Sequence, residues 1–210
     1  MIDKIYSILV KETKKYSTPV VELVEEQTKD PFKVLVATIL SARTKDEVTK
    51  FAVRKLFSKI KKPKDIHKFS QKEIEELIYP VGFYKNKAKF LKKLPQFIEN
   101  GIPQEIEELI KLPGVGRKTA NLVRSVAFSK PAICVDVHVH RISNRLGYVK
   151  TKTPYETEMR LRKILPKKYW LKWNYLLVSF GQNLCRPISP KCSECPIKTY
   201  CKKVGVSKSR

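Results

Sequence analysis

Lys118 follows directly on Leu112-Pro113-Gly114-Val115-Gly116-Arg117, and these neighbours give the lysine a chemical use. A Pro-Gly-x-Gly turn between two helical patterns is a tight hairpin. Its glycines allow positive φ and let the backbone come close to another molecule. The helix that follows presents unpaired N–H groups and the positive end of its dipole, a site for phosphate. Gly114 and Gly116 therefore predict a grip on a nucleic-acid backbone that reads no sequence, with an ordinary bundle turn as the alternative. Cations in the first turn oppose the dipole, so a purely structural role gives Arg117 and Lys118 little reason to be there. Pressed by the dipole, Arg117 and Lys111, Lys118 is expected to offer its amine as a nucleophile. Val135-Asp136-Val137-His138 opens a later helical pattern. Asp136 is an N-cap by position, and a carboxylate there can also stabilise a developing cation and move a proton.

A second chemical feature is the spacing Cys185-x6-Cys192-x2-Cys195-x5-Cys201 near the end of the chain. Cys134 stands apart in an apolar stretch and reads as a buried structural thiol. An odd, clustered cysteine count is a poor disulfide framework and a good metal site. Four thiolates suit either zinc or an iron–sulfur cluster, and the residues alone leave both open. From Cys185 to Arg210 the chain carries seven Lys or Arg against Glu194, so this loop is basic. His138 and His140 lack a third ligand nearby and are not read as a metal pair.

The elements that must position these groups are helices. Ile2, Ile5, Ile8 and Leu9 form a first stripe. Asp30-Pro31 reads as an N-cap and N1 pair opening a helix over 32–42. Thr44 is expected to cap the next helix, and Ser70 with Glu73 has the capping-box form. Further patterns cover 84–100, 105–110, 117–128, 137–146, 153–165 and 169–184, with Trp170 and Trp173 among the expected core residues. Only Pro131–Val135 reads as extended, so the expected fold class is all-α. Its 210 residues allow one or two domains, and 42% hydrophobic content agrees with a folded core. The 44 Lys+Arg against 20 Asp+Glu leave +24, which calls for a polyanionic partner. The longest uncharged apolar run, Val34 to Leu40, is too short to span a membrane. The charged start, Met1 to Tyr6, does not read as a signal peptide, so an intracellular, reducing site in the cytoplasm or nucleoid is expected.

Leu112-Pro-Gly-Val-Gly-Arg-Lys-Thr-Ala-Asn121, followed by Val135-Asp-Val-His138, resembles the helix-hairpin-helix and aspartate signature of the endonuclease III family of DNA glycosylases. The similarity runs from Pro31-Phe32 to Cys201. It implies a bifunctional DNA glycosylase/AP lyase of base excision repair, with Lys118 as nucleophile and Asp136 as catalytic carboxylate. Relatives that act on mismatched adenine or thymine carry another residue where this chain has Lys118. The cysteine spacing is the one this family uses for a [4Fe-4S] cluster. The resemblance also implies a duplex partner containing damaged bases or abasic sites, a monomer, and no membrane. His138 is placed close to the DNA. Arg43 and Phe83 are expected to fill the gap left by a flipped base. Many relatives have glutamine where this chain has Arg43, and the alternative for Phe83 is a core aromatic.

The architecture implied is two-lobed. One lobe, 21–132, is a six-helix barrel with the helix-hairpin-helix at about 105–129. The other joins 1–20 to 133–210 and holds the iron–sulfur cluster loop, 185–201, and Lys118 and Asp136 would face one another across the cleft. Two competing readings are a mismatch glycosylase acting on uracil or thymine opposite guanine, and a non-catalytic DNA-binding iron–sulfur protein. Lys118 argues against a monofunctional version of the first, and the pairing of Lys118 with Asp136 disfavours the second.

Overall fold

The computed structural model describes residues 1–210, and no strand forms anywhere in the chain. The fold is all-α. The chain divides into two compact units, Val20–Lys130 and Met1–Pro19 with Pro131–Arg210.

The Val20–Lys130 unit is organised about a helix whose middle is fully buried. Here α2 (Val20–Thr28), α3 (Pro31–Ser41) and α4 (Asp46–Lys59) are followed by a 3-10 segment (Pro63–Lys68). Then come α5 (Gln71–Ile78), α6 (Tyr84–Phe97), the single-turn α7 (Ile106–Leu109) and α8 (Arg117–Phe128). Val34 to Leu40, the run too short for a membrane, is buried all round as the middle of α3. A helix apolar on every side needs neighbours on every side, and α3 packs against α2, α4, α6 and α8. Its start is fixed locally: Asp30 accepts the Phe32 N–H at 2.9 Å, with Pro31 in the first turn. Ser70 and Glu73 form the reciprocal capping box of α5.

Thr44 is not the cap of α4. That helix has Lys45 at its N-cap with no side-chain bond, and the Thr44 hydroxyl instead accepts the Gly82 N–H at 3.2 Å. The helix α2 carries no strong local start signal. The N–H of its first residue, Val20, reaches the Asp46 carboxylate at 3.4 Å, a partner far along the chain.

In the other unit, α1 (Ile2–Thr13), α9 (Val137–Arg145), α10 (Pro154–Ile164) and α11 (Trp170–Asn183) share one core. The helix α11 packs on α1 and α9. Trp173 is completely buried at this junction, and a cavity of that size would cost about 3–5 kcal/mol. Trp170 lies at the rim, its indole N–H on the Leu165 carbonyl at 2.9 Å. Thr153 caps α10 through the Glu156 N–H. Pro131–Val135 runs without strand partners, and Cys134 is buried within it. No helix of the chain is long and apolar enough to cross a membrane.

Candidate active site and metal centre

The N-terminus of α8 is built as a receiving surface. Val115 closes the hairpin by donating its N–H to the Leu112 carbonyl at 3.1 Å. Gly114 has φ 75°, and a Cβ there would lie 2.6 Å from the Phe90 ring, so conformation and space both demand glycine. At Gly116 a Cβ would meet nothing within 4 Å, leaving open space over the turn. Gly116 occupies the N-cap with no side-chain bond, and the first backbone bond of α8 runs from Ala120 N–H to Gly116 O. The amides of residues 117–119 therefore point out of the helix end, where a dipole of about half a unit charge favours an anion. Arg117 and Lys118 are exposed around them. Lys111, expected to press on Lys118, is engaged by Glu108 at 2.8 Å.

Asp136 belongs to the other unit and does the opposite at the start of α9. Its Oδ1 accepts the N–H groups of His138 and Val139, both at 2.9 Å. The cap uses one of its two carboxylate oxygens, and the second, Oδ2, takes no part in it. His138 is half-buried, and its Nδ1 lies 3.1 Å from the Arg141 guanidinium. Arg141 continues to the Gly181 and Cys185 carbonyls at 3.3 and 2.8 Å. His140 is tied to Thr157 at 2.7 Å within a local polar network that includes Asn144 and Thr151, a structural use.

Cys185, Cys192, Cys195 and Cys201 all line one cavity in this unit, against Ile142, Leu146, Phe180, Leu184 and Ile197. No three His, Cys, Asp or Glu side chains are drawn close enough together to hold a single metal ion. The lining contains neither imidazole nor carboxylate, so sulfur is its soft donor. A cation and a backbone amide face two of the sulfurs. Arg145 lies 3.5 Å from Cys185 Sγ, and the Lys203 N–H points at Cys201 Sγ at 3.4 Å. Burial pushes the Cys195 thiol up to about 11, so thiolates there need a compensating cation. Arg145 also holds the loop mechanically, through the Arg186 and Pro187 carbonyls at 2.6 and 2.7 Å.

Arg43 and Phe83 lie together in the Val20–Lys130 unit. Both are exposed, with the Arg43 guanidinium 5.6 Å from the Phe83 ring centroid. At 59% exposure Phe83 is a surface aromatic and not a core one. Beneath them lies Lys87, which the sequence reading passed over. Its ammonium contacts the Leu40 and Ala42 carbonyls at 2.7 and 2.6 Å, and burial pulls it down to about 8. A signal existed, since Lys87 shares helical spacing with the buried Leu91 and Leu94. Nothing comparable marked Arg141 or Arg145.

The chain is similar to known DNA repair proteins. The model of the HhH-GPD superfamily base excision DNA repair proteins matches residues 36–167. Endonuclease III of Thermotoga maritima is 47% identical over 176 residues, covering 82% of this chain and 83% of that protein. A solved non-covalent endonuclease III–DNA complex superposes with a TM-score of 0.85 at 37% identity, covering 96% of this chain and 94% of that one. A trapped endonuclease III–DNA covalent intermediate matches at a TM-score of 0.77 and 37% identity, covering 88% and 93%.

Proposed function

The chain belongs to the endonuclease III family of base excision DNA repair proteins, and we propose that Lys118 is its nucleophile and Asp136 its catalytic carboxylate. It is a bifunctional DNA glycosylase and AP lyase. The substrate we assign is an oxidised pyrimidine in duplex DNA, attacked by a monomer inside the cell.

One observation carries the residue assignment: Lys118 is exposed in the first turn of a helix that has no side-chain cap and open space over its N-cap Gly116. Those amides, with Gly114 and Gly116 giving close approach and Arg117 adding charge, hold a phosphate and so set the strand beside Lys118. The damaged nucleotide is flipped out, and Arg43 and Phe83 occupy the gap. The Lys118 amine attacks the sugar C1′ as the base leaves. Asp136, held through Oδ1, presents Oδ2 to the developing cationic sugar and takes the proton that frees the amine. The adduct opens to a Schiff base, which acidifies the neighbouring sugar proton. β-Elimination then breaks the strand 3′ to the lesion. His138 follows Asp136 in the first turn of α9 and is assigned a contact to the DNA.

The four cysteines fit a [4Fe-4S] cluster, on the chemistry of an all-sulfur donor set in an apolar cavity ringed by cations. When bound, it would tie the basic loop 185–201 into one rigid piece beside the DNA. Purified protein should be yellow-brown with about four irons per chain, as that cluster requires. Stoichiometric zinc without iron in anaerobically prepared protein would refute it.

Borohydride trapping tests the nucleophile. Wild type should give a covalent protein–DNA complex, and Lys118→Gln should give none while still binding duplex. A Lys118→Gln protein that crosslinks and nicks at the wild-type rate would move the nucleophile elsewhere.

A further inference from the structure

Arg43 and Phe83 come from different loops, yet they share an unusual backbone. Their φ angles are 53° and 57°, in the left-handed region that bulky side chains seldom enter. Such conformations persist only where the surroundings over-determine them. The surroundings here are a small set of bonds buried under the pair. Lys87, 5% exposed, donates from Nζ to Leu40 O at 2.7 Å, Ala42 O at 2.6 Å and Thr44 Oγ1 at 3.2 Å. Thr44 Oγ1 also receives the Gly82 N–H at 3.2 Å. The loops touch so closely that a Cβ on Gly82 would stand 2.6 Å from the Arg43 carbonyl oxygen.

The chemistry of this arrangement is specific. The last carbonyls of α3 lack helical partners, and the helix ends in partial negative charge. An ammonium with three directed donors satisfies them and reaches the next loop at the same time. Lys87 sits in the first turn of α6, just past Phe83. Fixing the end of α3 and the start of α6 to one nitrogen therefore fixes Arg43 and Phe83 relative to one another. Outside, the planar guanidinium lies against the aromatic ring within cation–π range.

We propose that Arg43 and Phe83 act as a single two-residue wedge, and that Lys87 is the positioning residue that joins their loops. This rests on the reading of the pair as the groups that fill the gap behind a flipped base. A joined wedge enters the stack as one preorganised body, where two separate loops would each be ordered on binding. Lys87 touches neither base nor sugar and acts only through the pair.

The test is single-turnover excision of thymine glycol from duplex by the full chain. It is read beside affinity for undamaged duplex and strand cleavage at a preformed abasic site. Arg43→Ala and Phe83→Ala should each slow excision about tenfold, and the double variant should be within about threefold of the slower single, the mark of coupled residues. Lys87→Met, and independently Thr44→Val, should slow excision, with Lys87→Arg restoring much of the loss. Neither should change undamaged-duplex affinity or abasic-site cleavage by more than about threefold, and Lys87→Met should add little in the Phe83→Ala background. If both alanine singles excise at the wild-type rate, the void-filling reading itself fails. If the singles slow excision but multiply in full, the single wedge is overturned. If Lys87→Met and Thr44→Val keep the wild-type rate, or lower all three readouts alike, Lys87 loses its positioning role. The Arg43 and Phe83 cycle stands even where Lys87→Met fails to fold, because both residues are exposed, and Thr44→Val then decides the link.

Discussion

Two helix N-termini in this molecule, those of α8 and α9, treat the same dipole in opposite ways. At α9 the chain supplies its own anion: Asp136 takes two amides on Oδ1 and closes the end. At α8 it supplies none. Gly116 has no side chain to cap with, and Arg117 and Lys118 add positive charge where the dipole is already positive. A cap is worth about 1 kcal/mol, and a cation at this end costs about 0.3–1 kcal/mol. The sequence of α8 thus forgoes stability at the end proposed to hold a DNA phosphate. One end is closed in advance by the chain itself, and the other carries no side-chain cap.

The largest effect expected from disturbing this comparison is at Asp136. Asn can accept the same two N–H groups, so Asp136→Asn should keep the thermal midpoint within a few degrees. The excision rate should fall at least about a hundredfold, the scale of a lost proton-transfer group. A variant that stays fully active would reduce Asp136 to a cap and nothing more.

A smaller effect should follow from making α8 resemble α9. Gly116 has φ −92° and open space over its Cα, so Gly116→Asp can be accommodated without a clash. It should raise stability by a few tenths of a kcal/mol as a new N-cap, and weaken undamaged-duplex binding about tenfold at fixed salt by occupying the phosphate site. Binding unchanged under equilibrium titration would mean that the phosphate lies elsewhere. The smallest expected effect is thermal. Lys118→Gln removes an opposing cation and should stabilise the chain by about 0.3–1 kcal/mol in denaturant unfolding. Destabilisation would show that Lys118 serves the fold after all.

How much of this was legible in the sequence depended on how local each feature is. The caps at Asp30, Ser70 and Thr153 bond within three residues, and their helices were read correctly from the chain. The all-α class followed from such signals. The start of α2 is bonded to Asp46, a partner no local pattern exposes, and that helix went unread. Thr44 was misread for the same reason, since its hydroxyl serves Gly82 and Lys87 and not its own helix. The hairpin, Lys118, Asp136 and the cysteine spacing are contiguous or nearly so, which is why the sequence could single them out as candidates. The link under Arg43 and Phe83 spans segments far apart in the chain, and only the folded structure brings it together. Lys87 on an apolar helical face was the one clue to it.

Lys118 is the residue proposed to form the covalent bond to the sugar. The direct measurement is to trap wild-type protein on thymine-glycol duplex with borohydride, digest the complex, and locate the adduct by peptide mass spectrometry. The modified residue should be Lys118, in the segment that follows Gly114-Val115-Gly116. An adduct on any other lysine or on the N-terminal amine, with Lys118 unmodified, would contradict it.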